Sequence, residues 1–265
     1  MVFAVPIYDD NPIQQRPVVT YALIGTSIGA WFWQLTHGVE LSAFQYGMVP
    51  AALFGDLPPG VQPIPPWATM FTSMFLHGGW MHLGTNMLFL WIFGNNIEDL
   101  IGRVRYLLLY LASGVVAALI QGVAAKYAPI PMVGASGAVA GILGAYLLTY
   151  PRANVHVLLW IVVFFWIVTV PAWLLLGFWF LMQLFSGLGA AANQPGVAFW
   201  AHVGGFVGGA VLFLVLRPPG VKVLQPQHTP TWARVPPSAL IGRRTFHRGS
   251  VPDAGHRHRP RGPWG

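Results

Sequence analysis

The chain has 265 residues, of which 55% are hydrophobic and only 8% are charged, and its mean hydropathy is +0.59. A soluble domain of this size carries about a quarter charged residues, so the composition excludes an ordinary soluble protein and indicates a polytopic α-helical membrane protein. The sequence contains no cysteine, which excludes disulfide bonds and thiolate chemistry.

Residues 1–17 precede the first apolar segment and carry Asp9 and Asp10. The segment lacks the early apolar core of a cleavable signal peptide. It is therefore predicted to be a cytoplasmic N-terminal segment.

Six apolar segments follow, and each is predicted to be a transmembrane helix. They are Val18–Thr36, Met81–Ile97, Val104–Gly122, Val133–Tyr150, Val155–Leu184 and Phe199–Leu216. The fifth contains Pro171, which predicts a kink or an early break. The expected fold class is therefore all-α, a polytopic membrane protein whose six transmembrane helices form a domain over residues 18–216.

The positive charges predict how these spans are oriented. With six spans, one side of the membrane receives Arg16, Arg103, Arg105, Arg152 and the basic residues from Arg217 onward. The other side receives only Lys126. The positive-inside rule then places both termini in the cytoplasm of a multi-pass protein of the cell (plasma or inner) membrane.

Two loops and a tail complete the predicted organisation. The long outer loop 37–80 has several prolines and tryptophans but no lysine or arginine, which predicts packing into the membrane interface. The glycine-containing loop Phe185–Ala198 is predicted to be mobile. The tail 217–265 holds nine of the 14 lysines and arginines and is rich in proline and glycine. It is predicted to be disordered and to contact anionic lipid, and no nucleic-acid partner is expected.

Polar residues inside a membrane are costly, so each one is a candidate for function. In this topology spans two, four and six begin at the outer face. Span two begins with His82 and Asn86, span four with Ser136 and span six with His202. All four residues lie within about two turns of the same membrane surface, so we expect them to converge on one site that opens to the outer face.

Small residues continue the same helix faces inward. Ala140 and Gly144 follow Ser136 at helical spacing, while Gly205 and Gly209 follow His202. Such stripes, supported by Gly137, allow two helix backbones to approach closely. We therefore expect Ser136 and His202 to come within hydrogen-bond distance, as a serine nucleophile and its base require.

The remaining polar residues define the expected chemistry. No acidic residue lies at the outer end of a span, which predicts a Ser–His dyad whose histidine is held by packing. His82 and Asn86, with the backbone N–H of Ser136, suit oxyanion stabilisation. No metal or other cofactor is expected, because there is no HExxH motif and the His77–His82 pair lacks a nearby carboxylate. His77 itself, near a span end, is predicted to be interfacial.

Three motifs resemble those of the rhomboid family. GASGAVAG resembles the GxSG motif, AHVGGFVGG the AHxxGxxxG helix, and HLGTN the HxxxN element. The resemblance extends over about Trp67–Leu216 and implies a six-helix intramembrane serine protease that cleaves single-pass transmembrane proteins. It also implies that Ser136 is the nucleophile and His202 the base, that His82, Asn86 and the Ser136 N–H form the oxyanion hole, and that Gly134 shapes the loop.

The sequence departs from the family pattern at two places. Many members have an aromatic residue four positions after the serine, stacked on the base, where this chain has Ala140. The Trp–Arg pair often found in the long first loop is Trp67–Ala68 here. The first difference leaves open what holds His202, and the second leaves open how the loop is anchored.

Two other functions are consistent with parts of the sequence. A catalytically inactive rhomboid-like protein would bind membrane clients without cutting them, although such relatives typically lose the serine or the histidine. A transporter would place ionisable residues through the depth of the bilayer, whereas the polar groups here cluster at one end of the spans.

Overall fold

Helices make up most of the part of the chain that the structure describes. A computed structural model describes residues 2–58, 60–161, 163–189 and 197–226. Its helices are α1 Val18–His37, α2 Val39–Tyr46, α3 Pro50–Leu53, α4 Pro66–Thr72, α5 Trp80–Phe89, α6 Asn95–Ile101, α7 Arg103–Ala124, α8 Ser136–Thr149, α9 Ala172–Gly189 and α10 Phe199–Leu216. The prediction of a mainly helical protein is therefore confirmed.

A three-stranded sheet was not expected. Strands β1 Val2–Asp9, β2 Asn154–Ile161 and β3 Phe164–Pro171 pair antiparallel in the order β1-β2-β3. The all-α prediction is thus corrected, and the predicted fifth span is wrong from Val155 to Pro171. This stretch is rich in β-branched and aromatic residues, which favour strands, and β1 supplies a partner from the other end of the sequence.

The other predicted spans correspond to helices. Within the described residues, four helices are long and apolar enough to cross a membrane, namely α1, α7, α9 and α10. Helices α5 and α6 are joined by a π-helical turn at Leu90–Gly94, so the chain is helical without a break from Trp80 to Ile101. Helix α8 is apolar but has only 14 residues.

Helix α8 is the centre of the bundle. Each of its residues from Gly137 to Tyr146 is buried, and α10, α7 and the α5–α6 helix pack around it. In contrast, α1, α7, α9 and α10 expose large apolar side chains on their outer sides, among them Phe32, Leu108 and Phe178. The arrangement places the first residue of α8, Ser136, inside the bundle.

The N-terminal segment is held by two carboxylates of α6. Glu98 accepts hydrogen bonds from the backbone N–H groups of Val19 and Thr20 and so satisfies the first turn of α1. Asp99 accepts hydrogen bonds from two backbone N–H groups just before α1. These contacts tie the start of α1 to the end of the α5–α6 helix.

The predicted loops and tail differ in part from the structure. The long loop 37–80 contains α2, α3 and α4, and Trp67 in α4 is largely exposed. Helix α9 continues through Gly189, so part of the loop predicted from Phe185 is helical, and residues 190–196 lie outside the described residues. Leu224 and Gln225 of the predicted disordered tail bond to backbone carbonyls at the end of α8, whereas 227–265 lie outside the described residues.

Candidate active site

Ser136 and His202 lie within hydrogen-bond distance. Ser136 is the first residue of α8 and His202 is in the first turns of α10, and their Oγ and Nε2 atoms are 2.8 Å apart. The His202 side chain is buried. The structure thus brings together the two residues that the sequence singled out as a nucleophile and its base.

Glycines allow α8 and α10 to approach closely enough for this contact. A Cβ atom at Gly205 would collide with the carbonyl oxygen of Gly137, and one at Gly209 would collide with the backbone of Gly141. A Cβ at Gly144 would likewise collide with the Phe206 carbonyl. The two backbones therefore touch along this seam, as small-residue helix contacts in membranes do.

The seam contains one glycine that the predicted stripe did not include. On the α8 side the seam includes Gly137, Gly141 and Gly144, and Gly141 was not among the predicted packing residues. Ala140 is fully buried in the core. The predicted glycines Gly205 and Gly209 both lie in the seam.

Two residues of α9 hold His202 from its other side. The Nδ1 atom of His202 is 2.8 Å from Gln183 Oε1. The centroids of the Trp179 and His202 rings are 5.7 Å apart, and the two ring planes are inclined by 35°. An amide oxygen can only accept, so Nδ1 carries the proton and Nε2 is left to accept a hydrogen bond from Ser136 Oγ. Sequence reasoning missed this pair, although Gln183 is a polar residue in an apolar helix, one turn after Trp179.

His82 faces the loop before Ser136. The backbone N–H of Gly78 donates to His82 Nδ1 over 3.3 Å, so the proton of this imidazole is on Nε2. Gly134 has a φ of +127°, and a Cβ at this position would lie 2.6 Å from His82 Nε2. Only glycine fits both requirements. The contact leaves a ring N–H of His82 beside the entrance to α8.

Asn86 lies one turn after His82, on the same face of α5. Its Nδ2 donates to the His82 carbonyl oxygen over 2.8 Å, and its side chain is buried. His82, Asn86, Ser136 and His202 all line one cavity of about 540 Å³, together with apolar side chains that include Trp179. The four predicted polar residues therefore share one space.

The neighbouring histidine is buried rather than interfacial. His77, predicted at the interface, is fully buried, and its ring lies 5.2 Å from the His82 ring. Burial, with the nearby His82, lowers the pKa of His77 to about 4, so it is neutral at ordinary pH. Among the described residues, no cluster of three or more His, Cys, Asp or Glu side chains could hold a metal ion.

The fold and the site together define a class of protein. It is a helical membrane domain with a serine–histidine pair beside a cavity. The Rhomboid domain family matches residues 65–219, which is more than half of the chain. The chain therefore belongs to the rhomboid family. Together with its long apolar helices, this makes it an integral membrane protein in contact with the lipid bilayer.

Several named relatives are similar over about half of the chain. The chain is 33% identical to Rhomboid protease GluP of Bacillus subtilis over 132 residues, which cover 50% of this chain and 24% of the relative. It is 31% identical over 144 residues to the mitochondrial Rhomboid protein 1 of Saccharomyces cerevisiae, covering 52% and 39%. It is 30% identical over 159 residues to Rhomboid-type serine protease 2 of Emericella nidulans, covering 58% and 28%. The chain thus spans less than half the length of each of these relatives.

Proposed function

We propose that this protein is an intramembrane serine endopeptidase that cleaves single-pass transmembrane proteins within or near their spans. The observation that carries the proposal is the 2.8 Å contact between Ser136 Oγ and His202 Nε2 beside a cavity of about 540 Å³. The names of similar relatives, which include a rhomboid protease and a rhomboid-type serine protease, agree with it.

In the first half of the reaction, Ser136 Oγ attacks the scissile carbonyl carbon and His202 Nε2 takes the hydroxyl proton. The imidazolium that forms keeps its Nδ1–H bond to Gln183 Oε1, a neutral acceptor in place of the carboxylate of a triad. His202 then gives the proton to the departing amine. The product is an ester between Ser136 and the N-terminal part of the substrate.

In the second half, water attacks the ester carbonyl carbon while His202 takes a proton from the water. The bond between this carbon and Ser136 Oγ then breaks, His202 returns the proton to Oγ, and the N-terminal part of the substrate leaves as a carboxylic acid. In both halves a negative charge develops on the carbonyl oxygen. The backbone N–H of Ser136, the Nε2–H of His82 and the second Nδ2 hydrogen of Asn86 are the donors assigned to it. The Ser136 N–H is one of the orphan donors at the start of α8, where the helix dipole also favours negative charge.

The length of α8 supports a site within the membrane thickness. A helix of 14 residues rises about 21 Å, whereas the hydrocarbon core is about 30 Å thick. Because α8 is surrounded by other helices, it does not have to match the bilayer. Ser136 therefore lies below one surface, at a depth that water reaches through the cavity.

The proposed topology has six spans: α1, the continuous α5–α6 helix, α7, α8, α9 and α10. By the positive-inside rule, the positively charged ends of these helices place both termini in the cytoplasm. The Ser136 end of α8 then faces the outer side of the cell membrane. Substrate segments that unwind easily are the expected targets, because a carbonyl in a helical hydrogen bond is not free for attack.

The test uses the purified full chain in liposomes with a single-pass reporter and a serine-directed fluorophosphonate probe. We expect cleavage and labelling by the wild type and neither by Ser136→Ala. His202→Ala should keep the fold but lose both activities. An exposed-serine variant, Ser186→Ala, should match the wild type. Cleavage by Ser136→Ala at the wild-type rate would refute the mechanism, and a folded wild type that binds the reporter without cutting it would indicate an inactive relative.

A further inference from the structure

The β2–β3 hairpin has an apolar tip that the helices do not cover. Six large apolar residues in the distal half of the hairpin are between 44% and 70% exposed: Trp160, Val163, Phe164, Phe165, Trp166 and Ile167. At the other end of the hairpin, Val155 and Val157 are buried against the bundle. The hairpin therefore projects from the bundle, and its exposed part is its tip.

Both faces of the tip are apolar. Phe165 lies opposite Trp160 across the strands, and their rings stack at 5.4 Å. Phe164 points to the other face, where its ring stacks on that of Trp166 at 5.6 Å. Because neither face is covered, the tip would present a large two-sided apolar surface to water, which soluble proteins avoid.

Charge is confined to the base of the sheet. The only charged residue in the three strands is Asp9, at the end of β1 that lies farthest from the tip, and Arg152 stands just before β2. The base of the hairpin follows the end of α8 and leads directly into α9 at Ala172. This end of the bundle is opposite to Ser136, and α9 is one of the helices that can cross a membrane.

The backbone of β3 limits how deep the tip can lie. In the described sheet β3 is an edge strand, so about half of its N–H and C=O groups have no strand partner. Such groups are not tolerated in the hydrocarbon region, but headgroups and water satisfy them at the interface. Apolar and aromatic side chains next to an open strand edge thus match the boundary between headgroups and acyl chains.

We infer that the hairpin tip is a membrane-docking element that inserts its aromatic side chains into the lipid interface, in the leaflet opposite to the Ser136 end. The chain passes directly from β3 into α9, whose exposed apolar side chains begin at Trp173 and Leu174, 54% and 47% exposed. The partner is the bilayer itself rather than a protein, because the tip is apolar on both faces and directly joined to a lipid-facing helix. This inference does not depend on catalysis.

The absence of cysteine from the sequence makes a direct test possible. Single cysteines at Val163 and Phe165 would be spin-labelled in the full chain in vesicles of phosphatidylcholine and phosphatidylglycerol. Collisions of each label with oxygen, which enters the acyl region, would be compared with collisions with a water-soluble nickel chelate. Phe178→Cys on α9 is the lipid-exposed reference and Arg152→Cys, before the hairpin, is the aqueous reference.

We expect both tip labels to show an oxygen-to-nickel collision ratio severalfold above that of Arg152→Cys and closer to that of Phe178→Cys. Each labelled variant should keep the wild-type thermal midpoint, which excludes misfolding as the cause. Tip ratios equal to the Arg152→Cys ratio would overturn the inference. Strong spin–spin coupling or disulfide dimers through Phe165→Cys would overturn it as well and show that a second copy covers the tip. The measurement can be repeated in Ser136→Ala, so its outcome is separate from that of the proposed protease activity.

Discussion

Helix α8 has a polar cluster at each end, and the two clusters differ in access. At its start, Ser136 and His202 line a cavity with His82 and Asn86. Near its end, Tyr146 lies in a closed cluster that has no place in the proposed reaction. Each cluster combines one polar residue of this central helix, Ser136 or Tyr146, with polar side chains from other elements.

The closed cluster is formed with the N-terminal strand. The Tyr146 hydroxyl donates to Asp9, and Asn11 Nδ2 donates to the Tyr146 oxygen over 2.7 Å. Asn96 Nδ2 donates to Asp9 Oδ2 over 3.0 Å. These groups satisfy one another and attach β1 to the bundle.

Buried polar side chains alone do not mark a functional site in this protein. Both ends of α8 are polar and buried, but only the Ser136 end combines a nucleophile, a base and a cavity. The carboxylate of Asp9 belongs to the end without access. Changes at the two ends should therefore separate activity from stability.

The largest expected effect is at the glycine seam between α8 and α10. Gly205→Ala should separate the two helices and so remove the Ser136–His202 contact that distinguishes the Ser136 end of α8 from the Tyr146 end. The new methyl group would meet the Gly137 carbonyl oxygen, a backbone atom that cannot rotate away. We expect unfolding to become easier by about 1–3 kcal/mol and cleavage to fall by about 10²-fold or more, because Ser136 and His202 move apart. Thermal unfolding and reporter cleavage measure the two effects.

The matched control for the seam is Gly177→Ala in α9, where an added Cβ would meet no atom within 4 Å. This variant should keep the activity and the stability of the wild type. A Gly205→Ala protein that behaves like Gly177→Ala would contradict the close contact between α8 and α10.

The next largest effect is a loss of activity from a change at the Ser136 end of α8. Asn86→Ala removes a proposed oxyanion donor and should lower turnover by about 10²–10³-fold while KM and the thermal midpoint change little. Met81→Ala, at an exposed position on the same helix, is the control and should have no effect. Unchanged turnover in Asn86→Ala would remove this residue from the proposed oxyanion hole.

A smaller loss is expected when the support of His202 is removed. Gln183→Leu keeps the volume but lacks the acceptor for Nδ1–H, so turnover should fall by up to about 10²-fold with little change in KM. Gln183→Glu restores an acceptor and should recover part of the activity. Equal activities of the Leu and Glu variants would show that Gln183 acts by packing alone.

The smallest effect on activity is expected at the closed end, where Asp9→Asn should alter only the pH dependence of stability. Burial raises the pKa of Asp9 from 3.8 to about 7. Between these values the folded state binds the proton more tightly than the unfolded state, so the free energy of unfolding falls as pH rises. The wild-type thermal midpoint should therefore fall between about pH 4 and about pH 7, by about 2–4 °C for each kcal/mol.

In Asp9→Asn the side chain at this position no longer titrates, so the thermal midpoint should fall less over the same pH range. Reporter cleavage should stay at the wild-type rate. Asp56→Asn, which changes an exposed carboxyl in the long loop, should keep the full wild-type dependence. If Asp9→Asn retained the whole pH dependence, another group at this end would be responsible for it.

Several features were predictable because they are encoded locally. The membrane class follows from composition, and the approximate positions of five of the predicted spans follow from apolar runs of the necessary length. Residues at the same end of alternate spans must lie at a similar depth, which was enough to group His82, Asn86, Ser136 and His202. The resemblance to the rhomboid motif implied that Gly134 shapes the loop, and the structure adds why glycine is needed there, in the positive φ and the adjacent His82 ring.

Other features depend on residues that are distant in sequence. The apolar run from Val155 to Pro171 was interpreted as part of a span because hydropathy does not distinguish a membrane helix from a strand. Its pairing with Val2–Asp9, about 150 residues away, decides the structure. The residues around Asp9 do not predict that its side chain is buried against Tyr146.

By itself, the sequence determined a membrane protein with a small set of polar residues near one surface, because hydropathy, charge bias and helical spacing are properties of single segments. Only the tertiary structure decided that Gly141 joins the seam with α10, that Gln183 and Trp179 support His202, and that the N-terminus forms a strand. These outcomes depend on how each helix is rotated and which distant segment it meets. Packing among all the elements sets both, and no single segment encodes them.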